Sequence, residues 1–350
     1  MMSADFWKDK KVFVTGHTGF KGSWISLWLS ILGARVMGYS LNPPTENNLF
    51  EISNVGQLVD STINDIRNYD ALRESIEKFN PEIVIHMAAQ PLVRYSYQNP
   101  LETYSVNVIG TANLLDSIRF IDSVKSVVIV TSDKCYENDE TSVLFKESDP
   151  MGGSDPYSSS KGCAELVTKA YRSSYFEERP LGIASVRAGN VIGGGDWAKD
   201  RLIPDILKSF DQDSVLKIRS PKAIRPWQHV LEPIAGYLLL AENLYLRPKD
   251  FSGPWNFGPN KEDAMTVESI IDLMSESLPK LRWEIETHLQ PKESKILMLD
   301  INKSRSELAW KPIWSLQYGI KKIVEWHLAW KDNLDMQKIC LDHIREYINA

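Results

Sequence analysis

The chain has 350 residues, 43% of them apolar and 25% charged, with a formal charge of −6. That length supports a sizeable core and one or two domains, and the charge balance, with no Lys/Arg block, argues against an electrostatic grip on nucleic acid or anionic lipid while leaving room for a local basic pocket. The opening MMSADFWKDKK lacks the apolar centre of a signal peptide, no stretch nears the ~20 apolar residues of a membrane span, and Cys135, Cys163 and Cys340 are too few and scattered for a disulfide framework or a metal knuckle. The expectation is a cytoplasmic protein with reduced thiols and no metal, whose partners are small molecules.

In chain order, KKVFVTG reads as a strand, residues 20–32 as a helix, ARVMGYS and QLVDSTIND as strands, 69–79 as a helix, EIVIHMAA as a strand, 101–120 as a helix and SVVIVTS as a strand. A helix over about 156–177 then leads to a further strand, LGIASVRAGN. Continuous apolar strands separated by helices predict an α/β fold, a doubly wound parallel sheet of Rossmann type, with ligands outside the carboxyl ends of its strands. After Asn190 the texture changes to Gly, Pro, Trp and short elements, with helical periodicity over 230–246, 266–278 and 316–331. This reads as a smaller C-terminal lobe. The division expected is residues 1–188, with a returning segment at about 228–256, for the Rossmann domain, and 189–227 with 257–350 for the lobe.

VTGHTGFKG sets Gly16, Gly19 and Gly22 between the first strand and the first helix, which begins at Phe20. Tight turning, close backbone approach and helix packing each need a missing side chain, and the helix N-terminus then faces a pyrophosphate. The bland alternative is a simple strand-to-helix turn; its position at the first strand of a doubly wound sheet favours dinucleotide binding. The second strand ends in GYSLNPP, without the usual ribose-binding carboxylate and without an arginine for a 2′-phosphate, so NAD is preferred over NADP. Asp65 and Ile66, closing the third strand, offer a carboxylate and a backbone group to an adenine, or form an ordinary strand end.

DPYSSSKG holds Tyr157 and Lys161 at i and i+4, one turn apart on a helical face, with Asp155 able to cap the helix and Pro156 at its first position. A neighbouring cation favours phenolate, so the phenol can accept a proton from a substrate hydroxyl as hydride leaves the same carbon. Alone the spacing is common on surface helices. Here it follows both the glycine turn and VTSDKCYEN, which puts Asp133 beside Lys134 at the end of a buried strand. That pair is a solvated loop end, a salt bridge or acid/base machinery.

The segments VTGHTGFKG, HMAAQ, TYSVNVIGT, VVIVTSDKCY, DPYSSSK and RAGNVIGGGDW resemble the extended short-chain dehydrogenase/reductase family over nearly the whole chain, and within it the sugar-nucleotide 4,6-dehydratases. GHTGFKG, YSLNPPT, MAAQPLVRYSY, TSDKCYEN and GNVIGGGDWAKDRLIPD are similar to the branch that takes CDP-glucose. The resemblance implies a redox-neutral cycle on bound NAD. Tyr157, assisted by Lys161 and Ser132, would remove the 4-hydroxyl proton as C4 is oxidised; the 4-keto group acidifies C5; loss of the C5 proton and the C6 hydroxyl gives an enone that is reduced at C6.

Ser132 and Asp133 match the hydroxyl and acid of the dehydratase motif, the acid protonating the departing C6 hydroxyl. Lys134 stands where related dTDP-glucose enzymes carry a glutamate that takes the C5 proton. A lysine does that only when neutral; burial and Lys161 would push its pKa down and Asp133 would push it up. Lys134 is thus either the C5 base or a cation holding Asp133 and the enolate oxygen. The resemblance also carries Ala88, Ala89, Gln90, Asn107 and Thr111 to the cofactor wall, and Asn190, Arg201 and Arg225 to the sugar nucleotide, an arginine fork suiting a diphosphate. Arg94 reaches the sugar or sits on a loop. His17, where a smaller residue is common, would crowd the pyrophosphate and weaken NAD binding; His86 reads as a satisfied core residue. The rivals are a 4-epimerase or reductase on the same scaffold, which has little use for the Asp133–Lys134 pair, and a non-catalytic NAD-sensing protein. Pairing as a homodimer or homotetramer is expected, since family members commonly associate through helices of the cofactor domain.

Overall fold

Runs of buried β-branched residues, which suit a pleated surface covered from both sides, build the centre of the protein: β1 (Lys11–Thr15), β2 (Arg35–Ser40), β3 (Asp60–Ile63), β4 (Ile83–His86), β5 (Ser126–Val130), β6 (Gly182–Ala188) and β7 (Gly253–Phe257). The structure is a computed structural model and describes residues 3–138, 144–279, 281–286 and 297–350. All seven strands pair in parallel in the spatial order 7-6-5-4-1-2-3. The chain winds outward from β1 to β3, then crosses back to β4 on the other side of β1. The crevice at the ends of β1 and β4 is the switch point at which such sheets take ligands.

The helices that cover the sheet are α1 (Phe20–Ile31), α2 (Tyr69–Phe79), α3 (Pro156–Tyr171) and α4 (Leu231–Leu246). One face is packed by α1 and α4, where Trp24, Trp28, Tyr237 and Trp255 are fully buried. The other carries Phe13, Tyr39, Leu72, Ile76 and Leu114 beneath α2, the helix Gly110–Ser117 and α3. A third cluster, with Ile203, Ile206, Trp227, Ile270, Ile271 and Ile323, forms the small lobe around α5 (Leu316–Lys331). Its strands Asn190–Ile192 and Ile224–His229 pair in parallel, so the lobe grows directly from the end of β6.

Two expected helices are interrupted. The stretch 101–120 passes from Pro100–Tyr104 through a wider-wound turn, Ser105–Ile109, to Gly110–Ser117, and α3 gives way to a similar turn at Arg172–Phe176. At Gly110 a Cβ would come 2.7 Å from the Ile66 side chain, so the helix can approach the end of β3 only without one. The helix α6 (Met336–Ile348) and the paired strands Val215–Ile218 and Arg282–Ile285 are not among the elements expected from the sequence. Although α6 falls in the segment expected to join the small lobe, it contributes Met336, Cys340, Ile344 and Tyr347 to the core on the α1 face of the sheet. Among the described residues no helix is long and apolar enough to cross a membrane.

Candidate active site

The chain leaves β1 through Gly16, whose φ of +76° is the left-handed region that side chains avoid. A Cβ there would meet the Ala88 backbone nitrogen at 2.7 Å, and one at Gly22 would lie 2.0 Å from the Gly16 carbonyl oxygen. These two positions therefore need glycine for packing alone. Gly19 is different: it opens α1 in an extended conformation, no side chain caps the helix, and its own N–H bonds back to the Gly16 carbonyl at 3.1 Å. The first turn of α1, from Phe20, is left as a seat for an anion. That seat is the observation a dinucleotide pyrophosphate fits.

His17 corrects one expectation. Its ring is fully buried and turned away from the turn, over Gly38 of β2, where a Cβ would strike it at 2.2 Å. Nε2 bonds the Ser61 hydroxyl at 2.6 Å, Phe50 packs edge-on against the ring, and burial lowers its pKa to about 4. With no exposed surface the ring does not crowd a pyrophosphate; it is a neutral floor beneath the turn.

Around the crevice, the Thr15 hydroxyl accepts the Met87 and Ala88 N–H groups and bonds His86 Nδ1, while His86 Nε2 meets the Thr111 hydroxyl at 3.2 Å. His86 is thus a satisfied core residue. Asn107 receives the Gln90 N–H and donates to the Gln90 carbonyl and the Ser160 hydroxyl, and Thr111 donates to the Asn107 carbonyl. The Gln90 side chain bonds Thr103 and the Leu92 N–H. Gln90, Asn107 and Thr111 spend these groups on holding the wall to α3; Ala88 and Ala89 are half-buried in that wall. At the end of β3, Arg67 forks onto the Asp65 carboxylate and holds its pKa below the usual range, Tyr39 donates to the Asp65 carbonyl, and Asn113 donates to that of Ile66. Ligand groups there share these partners.

The second half of the site starts at β5. Ser132 caps the short turn Asp133–Cys135, its hydroxyl accepting the Lys134 N–H at 3.2 Å and donating to Asp133 Oδ1 at 2.9 Å. Burial pushes the Asp133 carboxyl up, against the opposing pull of Lys134, Ser132 and Lys21. Its Oδ2 stands 3.3 Å from where a Cβ on Gly189 would be, so Gly189 leaves the acid its room. A carboxyl whose charged form burial disfavours suits a general acid.

Across from it, α3 begins as expected, with Pro156 in its first turn and Asp155 capping the Ser158 N–H at 2.9 Å. Tyr157 and Lys161 are both buried on it. The expected lowering of the Tyr157 pKa by Lys161 is not what the structure gives. Burial raises the phenol to about 12, and the groups that pull it down are the Ser132 hydroxyl, by a hydrogen bond, and Arg201. Lys161 instead donates to the Val130 carbonyl at 3.3 Å, and burial lowers it to about 8. The Ser132 hydroxyl, spent on Asp133, thus stands near the phenol as well as the carboxyl.

Arg201 ion-pairs with Asp196 at 2.7 Å beside Tyr157, so it belongs to the centre of the site. Asn190 opens the strand paired with Trp227, and Arg225 lies on that partner strand, donating to the Ile224 carbonyl. Arg94 reaches Asp200 at 2.9 Å, bridging the helix Val93–Gln98 to the small lobe. Lys21 is not among the residues expected from the sequence; burial, Arg201 and Lys161 lower its pKa to about 8, against the pull of Asp133 and Asp196. The signal was present: Lys21 is a charge in the first turn of an otherwise apolar helix, between two glycines. Asp196 and Gly189 carried no such signal.

The family described as GDP-mannose 4,6 dehydratase matches residues 13–323. The chain is 52% identical to a CDP-glucose 4,6-dehydratase of Salmonella typhimurium, over 100% of this chain and 99% of that protein. It is 25% identical to a dTDP-glucose 4,6-dehydratase of the same organism over 93% and 95%. Among solved structures it is similar to a UDP-glucose 4-epimerase of Thermotoga maritima, with a TM-score of 0.78 at 21% identity over 90% and 97% of the two chains. A dTDP-glucose 4,6-dehydratase of Bacillus anthracis gives 0.77 at 20% over 94% and 99%. With the glycine turn, the Ser132–Asp133 turn and the Tyr157–Lys161 helix gathered at one sheet edge, the chain belongs to the GDP-mannose 4,6 dehydratase family, the sugar-nucleotide dehydratases and epimerases of the extended short-chain dehydrogenase/reductases.

Proposed function

We propose that the protein is an NAD-dependent CDP-glucose 4,6-dehydratase, a hydro-lyase that converts CDP-glucose to CDP-4-keto-6-deoxyglucose and water. The observation that carries the reading is the buried Asp133 carboxyl, which accepts the Ser132 hydroxyl on a turn packed against the helix that carries Tyr157 and Lys161. An epimerase or reductase needs Tyr157 and Lys161 but no acid to expel a C6 hydroxyl. The 52% identity to a CDP-glucose 4,6-dehydratase over the whole chain supports the nucleotide.

Gly16, Gly19, Phe20 and Gly22 would hold the NAD pyrophosphate, the half-buried wall at Ala88 and Ala89 the nicotinamide end, and Asp65 and Ile66 the adenine. When bound, NAD supplies the electron sink that oxidises C4 and later returns the pair to C6. Tyr157, as phenolate beside Arg201, takes the 4-hydroxyl proton. Asp133 gives its proton to the C6 hydroxyl as water leaves. Lys134 would take the C5 proton on a free-base amine; in a second reading, which the pull of its charge on Asp133 favours, it stays a cation and holds that acid and the enolate oxygen. Arg201, Arg225 and Asn190 would take the diphosphate and sugar, with Arg94 at the rim. Residues 1–188 and about 228–256 would carry NAD, and 189–227 with the part of 257–350 that precedes α6 the sugar nucleotide, α6 packing on the α1 face of the sheet.

Incubation with CDP-glucose, and separately with the dTDP, GDP and UDP sugars, tests this through the absorbance that 4-keto-6-deoxy sugars develop in alkali. Product from CDP-glucose is expected; product from dTDP-glucose alone, or a 4-epimer in its place, would overturn it. Self-association through the cofactor domain fits the exposed Leu101, Ile109 and Leu166, which lie on packed helices and leave apolar surface for a second copy to cover. Light scattering reads it directly, and a monomer at all concentrations would contradict it.

A further inference from the structure

Beneath the turn that carries Ser132, Asp133 and Lys134 lies an ion pair with no part in the chemistry. Glu165 and Arg187 have side chains only 5% and 3% exposed and meet through two parallel hydrogen bonds of 2.9 Å, Nε to Oε1 and Nη2 to Oε2. Taking two charges out of water is costly unless their remaining groups are satisfied. Here they are: Glu165 also accepts the hydroxyls of Thr131 and Ser185, each at 2.6 Å. Arg187 donates its remaining Nη1 to the Tyr136 hydroxyl at 2.6 Å and stacks its guanidinium 4.7 Å from that ring.

Thr131 and Tyr136 are the first and last residues of the segment that leaves β5, caps the Asp133 turn and departs. One ion pair therefore clamps both ends of it. Glu165 also sits on α3, one turn beyond Lys161, so the same carboxylate ties the Asp133 turn to the helix that carries Tyr157 and Lys161. Tyr136 is braced in turn by Asn256 of β7, at 2.7 Å. A pair worth little as net stability is here worth a fixed geometry.

We propose that Glu165 and Arg187 are positioning residues that fix the Asp133–Lys134 turn against α3, and that they serve the elimination step more than the oxidation of C4. This rests on the dehydratase reading above. Tyr157 and Lys161 ride on α3 itself and keep their place when the clamp is loosened. Asp133 and Lys134 ride on the clamped turn, and small displacements of an acid or base from its reacting atom cost rate steeply.

The test uses the full-length protein with NAD and CDP-glucose, following NADH absorbance in single turnover alongside product. Thr131→Val and Tyr136→Phe each remove one hydroxyl from one end of the clamp; Glu165→Gln removes the charge at its centre. In each, product formation is expected to fall at least about tenfold further than NADH formation, so that NADH accumulates, with KM for CDP-glucose unchanged. Thr131→Ser restores the ratio. If Glu165→Gln fails to fold, the two hydroxyl deletions still decide. Oxidation and elimination falling in step, or a lowered melting temperature with kcat unchanged, overturns the proposal. Failure of the unaltered protein to make product overturns the dehydratase reading instead.

Discussion

Two strand-end turns meet at the ligand edge of the sheet, and they are made in opposite ways. The turn after β1 is shaped by atoms that are missing: backbone presses on backbone at Gly16 and Gly22, and the polar seat at the start of α1 is what remains. The turn after β5 is shaped by charge that is present, with Asp133 buried above and Glu165–Arg187 below. The first binds by shape and helix polarity and tolerates no added atom. The second does acid/base work, and there the placement of protons matters more than volume.

Substitutions should separate the two. Gly22→Ala adds one methyl at a point 2.0 Å from a carbonyl oxygen, and backbone has no rotamer to yield. Loss of the folded protein, or of NAD binding altogether, is expected, read by thermal unfolding with and without NAD; an unchanged melting temperature with NAD still bound would show that the turn has slack. Tyr157→Phe changes no volume of consequence and should leave folding intact. It should lower C4 oxidation, and with it the rate of NADH formation, by about 10²–10⁴, the usual worth of a positioned acid/base group. NADH appearing at the normal rate would move the base elsewhere.

A smaller effect concerns pH. Burial lowers Lys161 to about 8. That shift has a stability consequence. Between about 8 and the ordinary lysine range the unfolded chain binds the proton that the fold rejects, so folding stability gains as pH rises through that window. Lys21, which burial lowers to a similar value, gains in the same window, so Lys161→Met should remove about half of the gain; an undiminished gain would assign it to Lys21 alone.

Legibility in the sequence follows the same division. The sheet, its doubly wound order and the glycine turn could be read because their causes are local: apolar runs, helical spacing and glycine at three positions. The Tyr157–Lys161 face and its Asp155 cap are local too. What could not be read depends on partners far apart in the chain. Glu165 is 22 residues from Arg187 and 34 from Thr131, and neither spacing has a period. His17 was misjudged because a side chain in a glycine turn has two exits, and only the fold shows Gly38 and Ser61 waiting on the inner one. The pKa of Tyr157 was misjudged because helical spacing puts Lys161 on the right face but does not say where its ammonium goes. The helix α6 escaped because its core partners lie on α1 at the other end of the chain.

The central claim is that the charge pair at the end of β5 performs an elimination after C4 has been oxidised from α3. Lys134→Met, in single turnover with NAD and CDP-glucose, tests it most directly. The account predicts that NADH forms and persists while no 4-keto-6-deoxy product appears; a variant that forms no NADH, or one that releases product at the normal rate, would contradict it.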